Sequence, residues 1–322
     1  MEKMHAAVVS SFAEPPHYQE FEVPTPSSDA HALVEVLAVG LHPRVRSGAS
    51  GTHYTRTGEL PRIPGIDGVG RMLDGRLAYF VADDELPGSM AEKTVIDVRR
   101  AVFLSDDAQV EKIAAAVNPA MSSWVALRHR VPIEPGQSVL VLGATGNAGT
   151  MAVRVAKRLG AGHVVGAGRD GDRLAALKSV GADDVVQLSD DGGATASALA
   201  GVAAEVDIVI DYLWGKPAER AIMALLTARS DRSRALHWIQ IGAVAGPTLE
   251  LPSVALRSAN LHLLGNGQGA VSAKGYVAAL PSLIDEIESG TLDIAVQTVP
   301  LRDVESAWLE PDAPGKRIVL VP

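Results

Sequence analysis

Two hydrophobic rhythms divide the chain. Over roughly the first third the apolar runs are short and lie between Gly- and Pro-containing breaks. Ala6–Val9 reads as a short strand, and Leu33–Val39 (LVEVLAV) alternates as a half-buried strand does. Gly70–Leu73 and Arg76–Val81 flank Asp74-Gly75, a pair that favours positive φ, and together they predict a hairpin. Met90–Ile96 is a further strand candidate, while Glu14-Pro15-Pro16 and Pro24-Thr25-Pro26 punctuate loops. Strands spaced in this way predict a compact, barrel-like antiparallel domain.

The rhythm changes near Asp106. Ala108–Val117 has a helical pattern that Asn118-Pro119 is expected to interrupt. From Ser138 short apolar runs alternate with helical stretches. Val139–Leu142 is a buried strand, followed by a helix that places Ala148, Ala152, Val155, Ala156 and Leu159 on one face and Arg154, Lys157 and Arg158 on the other. Strands are predicted at His163–Ala167, Val185–Leu188, Val206–Ile210, Leu236–Ile241 and Leu261–Leu264, with helices at Asp172–Val180 and from Pro217. Ser189–Ala204 reads as loop plus a short helix. These six strands with helical crossovers predict an α/β, doubly wound parallel sheet. A helix at Tyr276–Ile287 and strands at Val296–Val299 and Arg317–Val321 are left over once that sheet is complete, so they are expected to return to the first domain. The expected boundaries are residues 1–118 with 267–322 for the β-rich domain, and 119–266 for the parallel-sheet domain.

Composition narrows the function. The 322 residues carry 29 Lys+Arg against 38 Asp+Glu, a net charge of -9, which argues against nucleic acid or an anionic membrane as a main partner. There is no cysteine, which excludes disulfides and cysteine-ligated metals and suits a reducing, cytoplasmic setting. No apolar run approaches the ~18 residues of a membrane span, and MEKMHAAVVS has no signal-peptide pattern.

The chemistry is concentrated after the first strand of the parallel sheet. Gly143, Gly146 and Gly149 form G-x-x-G-x-x-G between a strand and a helix. A strand, a glycine turn and a helix start are what a dinucleotide pyrophosphate needs: the backbone approaches closely and the helix N–H groups meet the anion. A strand–helix pair with no ligand is the alternative. At the end of the second strand an NAD site usually carries Asp or Glu for the ribose 2′-hydroxyl. Here Gly168 falls at that position and Arg169 follows, either a guanidinium able to hold a 2′-phosphate or a solvated surface charge, with Arg173 one turn on. Asp170 either serves as the acidic residue or caps the next helix. NADPH is the expected cofactor. Five of the nine histidines (His5, His17, His31, His42, His53) precede residue 54, in spacings that match no ligand pattern.

Several further stretches, in order, carry a resemblance: RIPGIDGVG (Arg62–Gly70), MSSWVAL (Met121–Leu127), Val139–Gly149, GADDVV (Gly181–Val186), IQIGAVAG (Ile239–Gly246), LRSANLHLLGNGQG (Leu256–Gly269) and GKRIVLV (Gly315–Val321). The chain resembles the zinc-free, quinone oxidoreductase branch of the medium-chain dehydrogenase/reductase superfamily. The resemblance implies a GroES-like catalytic domain followed by a Rossmann domain. It implies cofactor contacts from Gly143, Ala144, Thr145, Gly146, Asn147, Ala148 and Gly149, from Arg169, from Gly242 and Ala243, and from Asn266 and Gly267. It also implies a small-molecule substrate in the interdomain cleft above the nicotinamide, and a homodimer paired edge to edge along Leu261–Leu264. By analogy the corners of a zinc site would be His42, Ile66-Asp67 and Asn118; Ile66 cannot ligate and Asn118 ligates poorly, so no metal is expected. Tyr54 matches a tyrosine near the cleft whose hydroxyl could donate to a substrate oxygen, or else packs against its loop. Ser122 matches a hydroxyl beside the nicotinamide, or else caps a helix, and His42 is a second donor candidate. The expected activity is NADPH-dependent reduction of quinones or α,β-unsaturated carbonyl compounds. Leu41-His42-Pro43 stands where the family has Asn-Pro, which leaves open a nucleotide-binding structural or regulatory protein with little turnover.

Overall fold

A computed structural model describes residues 2–54, 59–82, 85–311 and 313–322. The chain divides into two compact units, Met1–Asn118 with Ala273–Pro322, and Pro119–Ser272.

The first unit opens with β1 (Lys3–Val8) antiparallel to β2 (His17–Glu22). β3 (His31–Leu41) is its organising strand, eleven residues long. Pro43 starts α1 (Pro43–Ala49), a position where its missing N–H costs nothing. β4 (Asp67–Met72) and β5 (Leu77–Val81) form the hairpin expected around Asp74-Gly75. Gly75 takes φ 91°, its N–H closes the turn onto Met72 O at 2.9 Å, and Asp74 Oδ1 accepts from Arg76 N at 3.1 Å. β6 (Lys93–Asp97) pairs with β3, and β7 (Ala101–Phe103) with β5. The strand expected at Met90 begins only at Lys93. Met90 and Ala91 are instead fully buried residues next to β1, with Ala7 N donating to Met90 O at 2.9 Å.

α2 (Val110–Val125) corrects the sequence reading at Asn118-Pro119, because the helix runs through the proline and ends in a wider π turn, Ala126–Arg130. A helix-interior proline costs about 3 kcal/mol. The Ala-rich segment has strong intrinsic propensity and buries Ile113, Ala114, Ala115, Ala116, Val117, Ala120, Trp124 and Val125, which outweighs one missing bond.

The second unit is a six-stranded sheet. Its strands are β8 (Ser138–Leu142), β9 (His163–Gly168), β10 (Asp184–Gln187), β11 (Ile208–Asp211), β12 (Leu236–Gln240) and β13 (Leu261–Gly265). All pair in parallel in the order β10-β9-β8-β11-β12-β13. The crossovers carry α3 (Asn147–Arg158), α4 (Gly171–Leu177), α5 (Gly192–Ala203), α6 (Gly215–Ala228) and α7 (Ser253–Arg257). α5 fills most of the stretch read as loop plus a short helix, and Asp191 caps it by accepting from Gly193 N at 2.9 Å and Ala194 N at 3.0 Å. The strand order reverses between β8 and β11. In open parallel sheets, ligands bind beyond the carboxyl ends of the strands at such a point.

The chain then re-enters the first unit with α8 (Ala273–Glu288), β14 (Ala295–Pro300), α9 (Val304–Leu309) and β15 (Lys316–Val321). β15 pairs antiparallel with β3, Val319 opposite Gly40, so the C-terminal strand completes the sheet begun by the N-terminal segment.

Candidate functional site

At the switch point β8 ends in the glycine turn. Gly143 adopts φ 85°, which an L side chain rarely takes. Gly143 N and Ala144 N both donate to Ala167 O at 2.9 Å, tying the turn to the neighbouring strand. A Cβ on Gly149 would lie 2.1 Å from Gly143 O, so glycine there lets α3 pack against the turn. Gly146 differs. It is exposed, its φ is -82°, and a Cβ would meet nothing nearer than Gly143 O at 3.6 Å. Neither the packing around it nor its backbone requires glycine at 146, whereas close approach of a phosphate would. The N-cap position of α3 is Gly146, which has no side chain to cap it. Thr145, Asn147 and Ala148 are half-buried around this opening.

The end of β9 has a second reason for glycine. A Cβ on Gly168 would lie 2.6 Å from Thr145 Cγ2, so Gly168 accommodates Thr145 as well as lacking a carboxylate. Arg169 is exposed, and its carbonyl is held by Gln187 Nε2 at 3.0 Å. Asp170 caps α4, accepting from Arg173 N at 3.1 Å, and its other oxygen pairs with Arg173 Nε at 3.1 Å. Arg173, expected to assist Arg169, is thus engaged by Asp170.

On the other side of the switch point the residues that follow β11 and β13 meet α2. Gly242 N donates to Asp211 O at 3.1 Å, and a Cβ there would fall 2.7 Å from Tyr212 O. Gly242 is half-buried, Ala243 is exposed and Gly267 is half-buried. Asn266 N donates to Gln240 O at 2.8 Å, and its Nδ2 donates to Ser122 O at 2.8 Å. Asn266 is 5% exposed, and its buried Oδ1 has no hydrogen-bond partner among the described residues. A buried acceptor left open is costly unless a ligand supplies the donor. Ser122 lies inside α2 rather than at a helix start, so it is not a cap; its Oγ is 2.9 Å from Tyr212 Oη.

Sequence reasoning missed Asp211 and Tyr212. Asp211 is fully buried; it accepts from Leu213 N at 2.8 Å, Trp214 N at 2.9 Å and Trp238 Nε1 at 3.0 Å. Burial pushes its carboxyl above the usual range, and the three donors oppose that. The same turn holds Trp214 at φ 54°, the one positive φ outside glycine among the described residues. The available signal was position: a polar pair at the end of the strand that borders the switch point.

The remaining candidates belong to the first unit. His42 is 1% exposed, with Nε2 3.2 Å from Asp67 Oδ1, while Tyr79 Oη donates to Asp67 Oδ2 at 2.7 Å. The His42 side chain, a donor candidate in the sequence, is part of a buried polar cluster with Asp67 and Tyr79 that braces β4 and β5. Tyr54 is 69% exposed with its ring 4.2 Å from that of His53. Burial and the nearby Arg44 guanidinium push the His53 imidazole down to about 4, so it is neutral at pH 7. Of the zinc-corner positions, His42 and Asp67 are bonded to each other, and no group of three or more His, Asp or Glu able to hold a metal converges among the described residues.

Fold and site thus define a two-unit α/β protein with a glycine turn at the switch point of its parallel sheet. Residues 148–229 match the zinc-binding dehydrogenase family. The "probable NADPH-dependent quinone reductase" of Emericella nidulans is 33% identical over 368 aligned positions, spanning 99% of this chain and 100% of that one. The quinone oxidoreductase of Pongo abelii is 32% identical over 149 residues, 44% of this chain and 45% of its own. Among solved structures, the quinone oxidoreductase from Thermus thermophilus, also solved with NADPH, superposes with a TM-score of 0.80 at 25% identity over 99% of this chain and 100% of that one. A mycobacterial quinone oxidoreductase gives 0.82 at 21% identity over 99% and 100%. The chain belongs to the quinone oxidoreductase-like family of the medium-chain dehydrogenase/reductase superfamily.

Proposed function

We propose that the protein is an NADPH-dependent reductase of quinones and α,β-unsaturated carbonyl compounds that works without zinc. The observation that carries the cofactor choice is the end of β9, where Gly168 replaces the acidic residue, Asp170 is occupied by α4, and Arg169 is exposed beside the glycine turn. The cradle from Gly143 to Gly149 would hold the pyrophosphate and Arg169 the 2′-phosphate. Asn266 Oδ1 is the acceptor available to a carboxamide N–H. NADPH, when bound, supplies the hydride. The chain's own part is to orient that group, exclude competing nucleotides and provide donors for charge that develops on a substrate oxygen. Support for zinc independence comes from the poor ligand set at His42, Ile66, Asp67 and Asn118. Support for a homodimer comes from β13, which among the described residues pairs only with β12 and leaves Leu263 38% exposed on the sheet edge.

The test is titration of wild type and Arg169→Ala with NADPH and NADH, followed by turnover of a quinone and enone panel with and without chelator. Wild type is expected to prefer NADPH, and Arg169→Ala to lose ~10- to 100-fold in NADPH affinity with NADH affinity unchanged. Turnover is expected to survive chelation. Absence of nucleotide binding would overturn the reading, and NADPH binding without turnover would point to a nucleotide-binding regulatory role.

A further inference from the structure

Tyr212 belongs to none of the cofactor-binding positions, yet it is fixed from several sides. Its N–H donates to Leu142 O at 3.1 Å and its carbonyl accepts from Val244 N at 3.3 Å. The residue is 8% exposed, and its hydroxyl lies 2.9 Å from Ser122 Oγ. Ser123 also faces the phenol, although its own Oγ donates to Ala120 O at 3.1 Å. The Ser122 backbone is held as well, since Asn266 Nδ2 donates to its carbonyl at 2.8 Å. The open, buried Oδ1 of Asn266 marks this corner as one where a ligand completes the hydrogen bonding.

A hydroxyl has one proton to give and two lone pairs to fill. When Tyr212 donates into Ser122 Oγ, the serine proton needs an acceptor. Within α2 the one it reaches is Pro119 O, at 3.5 Å, the outer limit of a hydrogen bond. A substrate oxygen beside Ser122 is a better acceptor. We propose that Tyr212 is a positioning residue that holds the Ser122 hydroxyl as an outward donor, and that Ser122 delivers the proton to the oxygen of the reduced substrate. This rests on the reductase reading above. The Ser122 O–H bond breaks as an O–H bond forms on the substrate oxygen, which carries the electron pair left by reduction. Ser122 takes the Tyr212 proton in turn, and the phenolate regains one from water. Burial pushes the Tyr212 phenol up to about 12. It is therefore protonated across the neutral range and can donate to Ser122.

The experiment compares wild type, Ser122→Ala, Tyr212→Phe and the double variant, reading NADPH Kd, kcat, KM and the solvent deuterium isotope effect on kcat. Tyr212→Phe keeps the ring and removes only the hydroxyl, and an NADPH Kd within about twofold of wild type verifies that its fold is intact. The expected result is a loss in kcat of ~100-fold for Ser122→Ala and ~10-fold for Tyr212→Phe. The double variant should be no worse than Ser122→Ala, because the tyrosine acts only through the serine. Wild type should show a solvent isotope effect that Ser122→Ala alters. Additive losses, an unchanged kcat in Tyr212→Phe, or a wild-type isotope effect of one would overturn the proposal while leaving the reductase reading standing. NADPH binding without any turnover in wild type would overturn both.

Discussion

Asp97 shows how a single side chain is tuned by its own turn. It is 5% exposed and accepts from Arg99 N at 2.9 Å and Arg99 Nε at 2.8 Å. The Arg99 guanidinium holds its carboxyl down at about 2, against an ordinary 3.8, despite the opposing effect of burial. Because the folded value is depressed, the contribution is complete above pH ~4 and is lost as pH falls from ~4 to ~2. Thermal melts of wild type and Asp97→Asn should therefore differ at pH 7, with wild type the more stable, and the gap should close over that acid window. At the same scale the glycines separate by cause. Gly149 and Gly168 answer to neighbouring atoms, whereas a Cβ on Gly146 would meet nothing nearer than Gly143 O at 3.6 Å. That distinction is invisible in a glycine spacing, which is the same whichever cause applies.

At the scale of elements, β8, the glycine turn and α3 form one device. Its rigidity comes from contacts between backbone atoms, which cannot rotate away as a side chain can. Gly149→Ala would push a methyl to 2.1 Å from Gly143 O and 2.7 Å from Ala144 Cα. Either the helix or the turn must move, at a cost of about 1–3 kcal/mol. The variant is expected to melt earlier and to bind NADPH at least ~10-fold more weakly, as measured by calorimetric titration. α2 makes the complementary point. Local chemistry at Pro119 argues for a helix end, and burial of the helix on both sides of the proline overrides it.

At the scale of the whole molecule, the chain leaves the first unit at Asn118, builds the second without interruption, and returns at Ala273. The bond from Arg317 Nη1 to Leu41 O, 3.0 Å long, joins residues 276 apart, whereas the second unit is made entirely of neighbours within Pro119–Ser272. Both rims of the parallel sheet are edge strands, β10 and β13. β13 mixes half-buried with exposed residues and carries Leu261, Leu263 and Leu264. Pairing with a second copy would satisfy that edge. Sedimentation of wild type is expected to give a dimer, and Leu263→Lys a monomer that retains NADPH binding; a wild-type monomer would dispose of this interface.

What the sequence determined by itself was set over short distances: the alternation of strands and helices in the parallel sheet, the Asp74-Gly75 hairpin, the glycine turn, and the absence of a carboxylate at Gly168. These follow from periodicity and from backbone chemistry within a few residues, which is why they were legible. The tertiary structure alone decided that Ser122 meets Tyr212 across 90 residues and Asn266 across 144. It alone decided that His42 is sealed against Asp67 and that Tyr54 faces solvent. Hydrogen bonding between side chains depends on position in space, and a polar residue in a sequence carries no mark of which distant partner the fold will bring within hydrogen-bonding reach of it.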